Sequence, residues 1–250
     1  NVRIISVANQ KGGTAKTSTA HALVTGAAYK GKRSLAIDFD PQGNLSFIMG
    51  ADANRAGAYE LMKQQAKAAQ IVQYTSQGDI IPASLNLAAA DTEFSGKPGR
   101  DFFLQAALEP LQDDYDVVVI DTPPTLGTLL VNALTASDEV IIPMNADILS
   151  LQGLYQLAET INQVKSFCNK GLKVTGILLT RYSGRTVLAR DIKETIEAKC
   201  AELGIPLLNT VIRDGVAVRE AQTTQESLFA YAPNSNPAKD YLQLFDEINL

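Results

Sequence analysis

The sequence predicts an α/β protein, a parallel twisted sheet flanked by helices. Three observations predict it. Six short apolar runs are nearly continuous rather than alternating, which marks strands buried on both faces. The longer segments between most of them carry helical spacing, and strands alternating with helices give a parallel sheet with right-handed crossovers. The first apolar run passes through a glycine pair straight into a helical pattern.

Val2–Ala8 reads as the first strand and Thr17–Tyr29 as the helix behind it. Ser34–Asp38 is the second strand. Gly50–Gly99 is the least regular stretch, with short helices at Tyr59–Ala69 and Leu85–Phe94, a short strand at Asp79–Pro82 and a loop at Ser95–Arg100. Regularity returns with the strand Tyr115–Asp121 and the helix Leu126–Ala136. Glu139–Met144, Lys173–Thr180 and Leu207–Ile212 are strands, separated by helices at Ser150–Asn169 and Thr186–Leu203. Asn236 and Pro237 cap a last helix. Its core stripe is Ala238, Tyr241, Leu242, Phe245 and Ile248, and its outer face carries Asp240, Asp246 and Glu247. No internal repeat or linker divides the chain, so residues 1–250 read as one domain.

The chain has 250 residues and a net charge of −5, so a wholesale nucleic-acid coat is excluded and any such contact needs a local patch. Cys168 and Cys200 form no C-x-x-C pair and read as reduced thiols of a cytosolic protein. His21 is the only histidine, which argues against a histidine triad or metal cluster and for a packing role. No apolar run reaches the ~20 residues of a membrane span, and the first is too short for a signal peptide.

Ala8–Thr17, ANQKGGTAKT, carries the chemistry. Glycines let a backbone approach an anion closely, and the N–H groups of the turn and the helix start, Gly12 to Ser18, point at phosphates. Lys16 supplies a point charge to them, and Thr17 offers a hydroxyl to magnesium. Gln10 and Ala15 stand where the ordinary G-x-x-x-x-G-K-[ST] motif has glycines. Ala15 fits if its φ is negative, as at a helix start. The bland alternative is a glycine turn with two incidental lysines. Asp38-Phe39-Asp40-Pro41-Gln42-Gly43-Asn44 ends a second strand with two carboxylates, which suits magnesium and water positioning or, more simply, a Pro-Gly turn. Val117–Pro124, VVVIDTPP, ends a third strand in Asp121, as a Walker B carboxylate requires. Ligands in such sheets bind at the carboxyl ends of the strands, so Lys11, Asp38, Asp40 and Asp121 are expected to converge.

K-G-G-x-x-K-T at Lys11–Thr17 resembles the deviant Walker A motif of the ParA/MinD family of ATPases, with Thr14-Ala15 in place of the more frequent Val-Gly. D-x-D-P-Q-G-N at Asp38–Asn44 and D-x-P-P at Asp121–Pro124 resemble two more of its segments. The order continues through Asp138–Met144, Leu149–Leu157 and Leu178–Leu188, so the likeness runs nearly end to end and is weakest in Gly50–Gly99. It is closest to the short Soj-like ParA proteins, which lack an N-terminal helix-turn-helix domain. The resemblance implies a P-loop NTPase fold of the deviant Walker A type that binds ATP and Mg2+. Gly12, Gly13, Thr14, Ala15, Lys16, Thr17 and Ser18 would hold the nucleotide, and Thr17, Asp40 and Asp121 the metal. Asp40 would orient the attacking water, with Lys11 and Lys16 completing the catalytic set. Lys11 would reach the nucleotide of a second subunit in an ATP-bound homodimer. That dimer would bind DNA without sequence preference, and a ParB-like partner would stimulate hydrolysis. A cytoplasmic, nucleoid-associated partition switch is the implied function.

The family's P-R-N-V-R segment reads here Arg213-Asp214-Gly215-Val216-Ala217, so neither family arginine is in place. Arg213, Arg219 and Arg190 are the candidate DNA contacts nearby, against a solvated mixed-charge loop. In the family the same segment closes over the adenine, which makes Arg213 and Gly215 nucleotide candidates. Arg185 matches a family arginine with no role derived from the sequence. A MinD-type membrane switch would need a basic amphipathic C-terminal helix, and this one carries acids. A nitrogenase-iron-protein-like reductase would need cysteines near residues 90–130. A dethiobiotin-synthetase-like ligase, or a ParA-like ATPase positioning a protein cargo, remains as the alternative.

Overall fold

Burial on both faces sets the architecture. A computed structural model describes residues 2–184 and 186–250. Eight strands form one sheet: β1 (Arg3–Val7), β2 (Ser34–Asp38), β3 (Gln73–Thr75), β4 (Gly78–Ile81), β5 (Val117–Asp121), β6 (Glu139–Asn145), β7 (Lys173–Thr180) and β8 (Leu207–Ile212). Their order is β3-β4-β2-β5-β1-β6-β7-β8. Every pairing is parallel except β3 with β4. Six longer helices cover it: α1 (Lys16–Tyr29), α2 (Thr128–Ala136), α3 (Ile148–Phe167), α4 (Val187–Leu203), α5 (Val216–Thr223) and α6 (Asn236–Ile248). Among the described residues no helix is long and apolar enough to cross a membrane.

The six strands expected from continuous apolar runs are present, with ends differing by no more than two residues. Gly50–Gly99 departs most. The helix expected at Tyr59–Ala69 is two short ones, Ala58–Met62 and Ala68–Ile71, separated by Gln64 in a left-handed conformation. Leu85–Phe94 starts as a 3-10 turn and only then becomes α-helical. β3 has no apolar signature and exists because its three residues pair antiparallel with β4.

α1 is buried on nearly every side between Thr19 and Ala27, as its apolar composition requires. It lies between the sheet and α6, whose Tyr241, Leu244 and Phe245 pack on it. The opposite face of the sheet is covered by the short helices of residues 58–111 and by α2. α2, α3 and α4 enclose the β6–β7 end.

α6 corrects two expectations. Its cap is Ser235, whose Oγ accepts the Ala238 N–H, while Asn236 and Pro237 already belong to the first turn. Asp240 does not face outward. It is buried, and its carboxylate receives the Arg213 guanidinium at 2.7 Å and the Arg213 N–H at 2.9 Å. Glu247 accepts the N–H groups of Asn209 at 2.7 Å and Thr210 at 2.8 Å, where the β7–β8 register slips. Next to Glu247, Arg3 binds Glu139 and the carbonyls of Ile248 and Asn249, tying β1 to the C-terminal end of α6.

His21 is a packing residue, as expected. Gln77 donates its amide hydrogens to the Ile48 and Gln225 carbonyls, so its oxygen accepts from His21 Nε2 at 2.6 Å. Burial pushes the imidazole pKa down and keeps the ring neutral.

The α1–α6 contact yields a test. A Cβ on Gly26 would lie 2.1 Å from Phe245 Cε2. Gly26→Ala is expected to lower stability by about 1–3 kcal/mol through overpacking, read as a fall in melting temperature of roughly 2–4 °C per kcal/mol. Unchanged calorimetric melting would mean that α6 docks elsewhere.

Candidate nucleotide-binding site

The register of the central strands builds the site. β5 lies between β1 and β2, and Asp121 is level with Val7 on one side and Asp38 on the other. The chain leaves β1 at Val7, turns through the glycines and enters α1 at Lys16. Lys16, Thr17, Asp38, Asp40 and Asp121 therefore meet at the carboxyl edge of the sheet.

Thr17 Oγ1 donates to Asp121 Oδ2 at 2.7 Å. Asp121 Oδ1 is buried with no hydrogen-bond partner among the described residues. Lys16 is buried beside Asp121 and Asp40: burial pushes its pKa down, and the two carboxylates oppose that. Asp121 is pushed well above the usual carboxylate range, first by burial and then by the Asp38 charge. Burial likewise raises Asp38, to about 6, against hydrogen bonds from Ser46 and from the Asp40 N–H. Asp40 Oδ1 accepts the Gln42 N–H, which closes the Asp-Pro-Gln turn.

The glycine turn is open. A Cβ at Gly12 or Gly13 would meet nothing within 4 Å, so the cradle faces outward. Gly13 has φ 74°. Ala15 does not take the negative φ expected of it. It has φ 63° and ψ 31°, the conformation a glycine would adopt, because α1 begins one residue later and the loop must reverse before it. For a residue with a Cβ this costs roughly 1–2 kcal/mol.

Lys11 does not join the carboxylates of β2 and β5. Its ammonium reaches across to the start of α3, 3.0 Å from Asp147 Oδ1 and 3.3 Å from Ser150 Oγ. Asp147 caps α3 by accepting the Ser150 N–H at 2.7 Å. Burial works against the Asp147 charge, yet Lys11 and Ser150 outweigh it and hold its pKa below the ordinary range.

Beside the loop lies a narrow cleft of about 80 Å³, lined by Ala15, Ser18, Arg213, Gly215, Gln222 and Tyr241 among others. Ser18 accepts from Gln222 at 2.8 Å. Arg213 and Gly215 thus stand next to the phosphate loop, with the Arg213 charge compensated by Asp240. Arg219 lines the same cleft and is exposed, 4.0 Å from Asp214. Arg190 is exposed on the first turn of α4, and Arg185 lies outside the described residues.

The sequence reading missed Asp147, Ser150, Asn145 and Thr180. Asn145 Nδ2 and Thr180 Oγ1 contact the Gly13 and Thr14 carbonyls. Only their positions at the ends of β6 and β7 pointed to them.

A family model described as an AAA domain matches residues 2–174. The sporulation initiation inhibitor protein Soj of Bacillus subtilis is 37% identical over 98% of each chain. The chain belongs to the ParA/Soj family of partition ATPases. The chromosome-partitioning ATPase Soj of Thermus thermophilus is 36% identical, covering 99% of this chain and 95% of its own. A solved relative is the cobyrinic acid a,c-diamide synthase of Mycobacterium smegmatis with bound ATP analogue and magnesium. It has 32% identity and a TM-score of 0.87, covering 98% of this chain and 93% of that one. The P-loop fold of this ParA/Soj chain is thereby shared with nucleotide-bound proteins.

The site suits the magnesium that such relatives hold. An orphaned, buried Asp121 oxygen next to a threonine hydroxyl is a polar pair that a hydrated cation satisfies. Among the described residues no group of three His, Cys, Asp or Glu is arranged to hold a metal ion by itself. The ion's remaining ligands would be phosphate and water, which is how magnesium is ordinarily held.

The Asp38 environment yields a test with a definite sign. Its folded pKa of about 6 lies above the ordinary carboxylate value, so ionisation costs stability as the pH rises through about 6, and protonation restores it below. Ser46→Ala removes a 2.6 Å hydroxyl bond that favours the charged form. It also leaves the Ala83 N–H without its acceptor, a loss independent of pH. The variant should lose about 1–3 kcal/mol, more at about pH 8 than at about pH 5. Asp38 should titrate higher by carboxyl carbon NMR, and equal losses at both pH values would refute this account.

Proposed function

We propose that the 250 residues form one ParA-type ATPase domain, an ATP-dependent switch for DNA segregation. The observation that carries this reading is the meeting of Lys16, Thr17 and Asp121 beneath an open glycine turn, with Asp40 on the neighbouring strand end. ATP lies with its phosphates on the turn. The loop and α1 amides and the Lys16 ammonium hold the β and γ oxygens. Thr17 and, through water, Asp121 hold Mg2+. When bound, the metal neutralises charge on the phosphates. Asp40 orients the attacking water. The adenine sits by Arg213 and Gly215.

Lys11 is the second cation of the loop, and an ordinary phosphate loop needs only Lys16. Its reach into a partner's nucleotide would make the dimer depend on ATP. To make that reach it must leave Asp147. The ATP dimer binds DNA without sequence preference through a patch doubled by symmetry, in which Arg219 is the leading contact, with Arg190 and Arg213 beside it. Arg213 is the weaker candidate because Asp240 already neutralises it. A ParB-like protein stimulates hydrolysis and resets the monomer. The name of the Mycobacterium smegmatis relative keeps an ATP-dependent metabolic enzyme as the second reading. Turnover that responds to a small-molecule acceptor, and not to DNA and a partner protein, would favour it.

Sedimentation with ADP, ATP and a non-hydrolysable analogue tests the switch. Lys16→Ala is expected to lose ATP affinity, whereas Lys11→Ala keeps it and loses the ATP-dependent dimer. Asp40→Ala should bind ATP, hydrolyse it poorly and stay dimeric. Normal dimerisation of Lys11→Ala would remove the role in trans, and parental turnover of Asp40→Ala would remove the water-positioning role.

For DNA, each phosphate contact contributes about −0.9 to the slope of log K against log salt, hence roughly −1.8 for two symmetric arginines. Arg219→Ala should flatten the slope by about that amount while leaving ATP binding and dimerisation intact. An unchanged slope would move the DNA surface elsewhere.

A further inference from the structure

Ala15 holds a left-handed conformation that a residue with a Cβ keeps only where its surroundings over-determine it. Within the loop there is little to do so. Gly12 and Gly13 are conformationally permissive, and the side-chain bonds within the loop, the Lys11 N–H to Asn9 Oδ1 at 3.0 Å and Thr14 Oγ1 to the Lys11 carbonyl at 3.3 Å, both stop short of Ala15. The constraint comes from the far end of two strands. Asn145 and Thr180 are the last residues of β6 and β7 and are partners in register. Asn145 Nδ2 donates to the Gly13 carbonyl at 3.3 Å. Thr180 Oγ1 lies 3.2 Å from the Thr14 carbonyl and 3.1 Å from Asn145 Oδ1. A hydroxyl has one hydrogen, so Thr180 shares it between these two acceptors. Thr14 and Thr180 are both about 1% exposed, so water does not substitute for the bond.

A peptide group is planar, so its carbonyl and N–H point in opposite directions. Holding the Gly13 and Thr14 carbonyls against the sheet turns the N–H groups of Thr14 and Ala15 the other way, into the loop. Neither N–H has an acceptor among the described residues.

We propose that Asn145 and Thr180 are positioning residues. They clamp the two peptide groups before Ala15, aim their N–H groups at the phosphates and allow an alanine to stand at a left-handed position of the phosphate loop. The proposal rests on the ATP reading above and adds to it a cause for the loop's shape. The clamp touches no substrate. It acts through the loop, so its loss should appear in nucleotide affinity, and the loss should depend on which residue occupies position 15. Glycine adopts the left-handed region without strain and needs the clamp less.

The experiment is a double-mutant cycle read as the dissociation constant of a fluorescent (mant) ATP with magnesium. Thr180→Val should weaken binding about tenfold in the parent, and Thr180→Ser should stay within about threefold. In an Ala15→Gly background Thr180→Val should cost only about twofold. Asn145→Ala, at a half-buried site that tolerates truncation, should repeat the pattern and serves where Thr180→Val does not fold. A merely structural role would lower the melting temperature in both backgrounds and leave the affinity ratio the same in each. Equal losses in both backgrounds, or no loss in either, with the parent binding normally, would overturn the clamp alone. A parent that fails to bind the nucleotide would overturn the ATP reading and the clamp with it.

Discussion

The hydrogen bond from Thr17 to Asp121 is the contact on which the rest depends. It joins the first turn of α1 to the tip of β5, and it does so inside the protein, where a carboxylate is costly. β1 and β5 must stay in register for the two groups to meet. α1 must begin at Lys16 and not a turn later. The buried helix, the sheet and α6 together fix both conditions. Packing energy from the core is thus converted into the position of a few polar atoms at one edge.

Those atoms are held in tension. Asp38 and Asp121 sit side by side on adjacent strands, both desolvated and both with raised pKa values. The Lys16 charge opposes this at Asp121, and Lys16 is itself partly desolvated. A site poor in positive charge and rich in buried carboxylate has a reason to take up a divalent cation. Ser46 secures one member of the pair from a short helix, and the Asp40 amide secures it from the following turn. The cost of this arrangement is spread over contacts that are remote in sequence.

Most of the sheet was legible in the sequence because six strands are short, apolar and buried on both faces, a pattern local enough to read. The phosphate loop and the strand-end aspartates were legible for the same reason: each is a contiguous motif next to such a strand. What failed is non-local. β3, with residues Gln73, Tyr74 and Thr75, has no pattern of its own and is a strand only through β4. Asp240 shares a helix with the exposed Asp246 and is drawn inside by Arg213, which lies 27 residues away. Ala15 was expected to take a negative φ, as at a helix start, but the loop's path decides its φ. Lys11 was expected at the β2 and β5 tips and is held by an α3 cap that no motif announces. Asn145 and Thr180 stand in ordinary strand endings, and only the fold brings them to the loop.

Glu247 has a consequence for how the molecule meets its own copies. An open sheet ends in two strands with unused backbone groups, and such edges recruit foreign strands. Here the β8 edge has two successive amides already occupied by a carboxylate from α6. The opposite edge, β3, is only three residues long and too short to template a pairing. At high local concentration, copies of this chain are steered away from strand exchange and fibre growth.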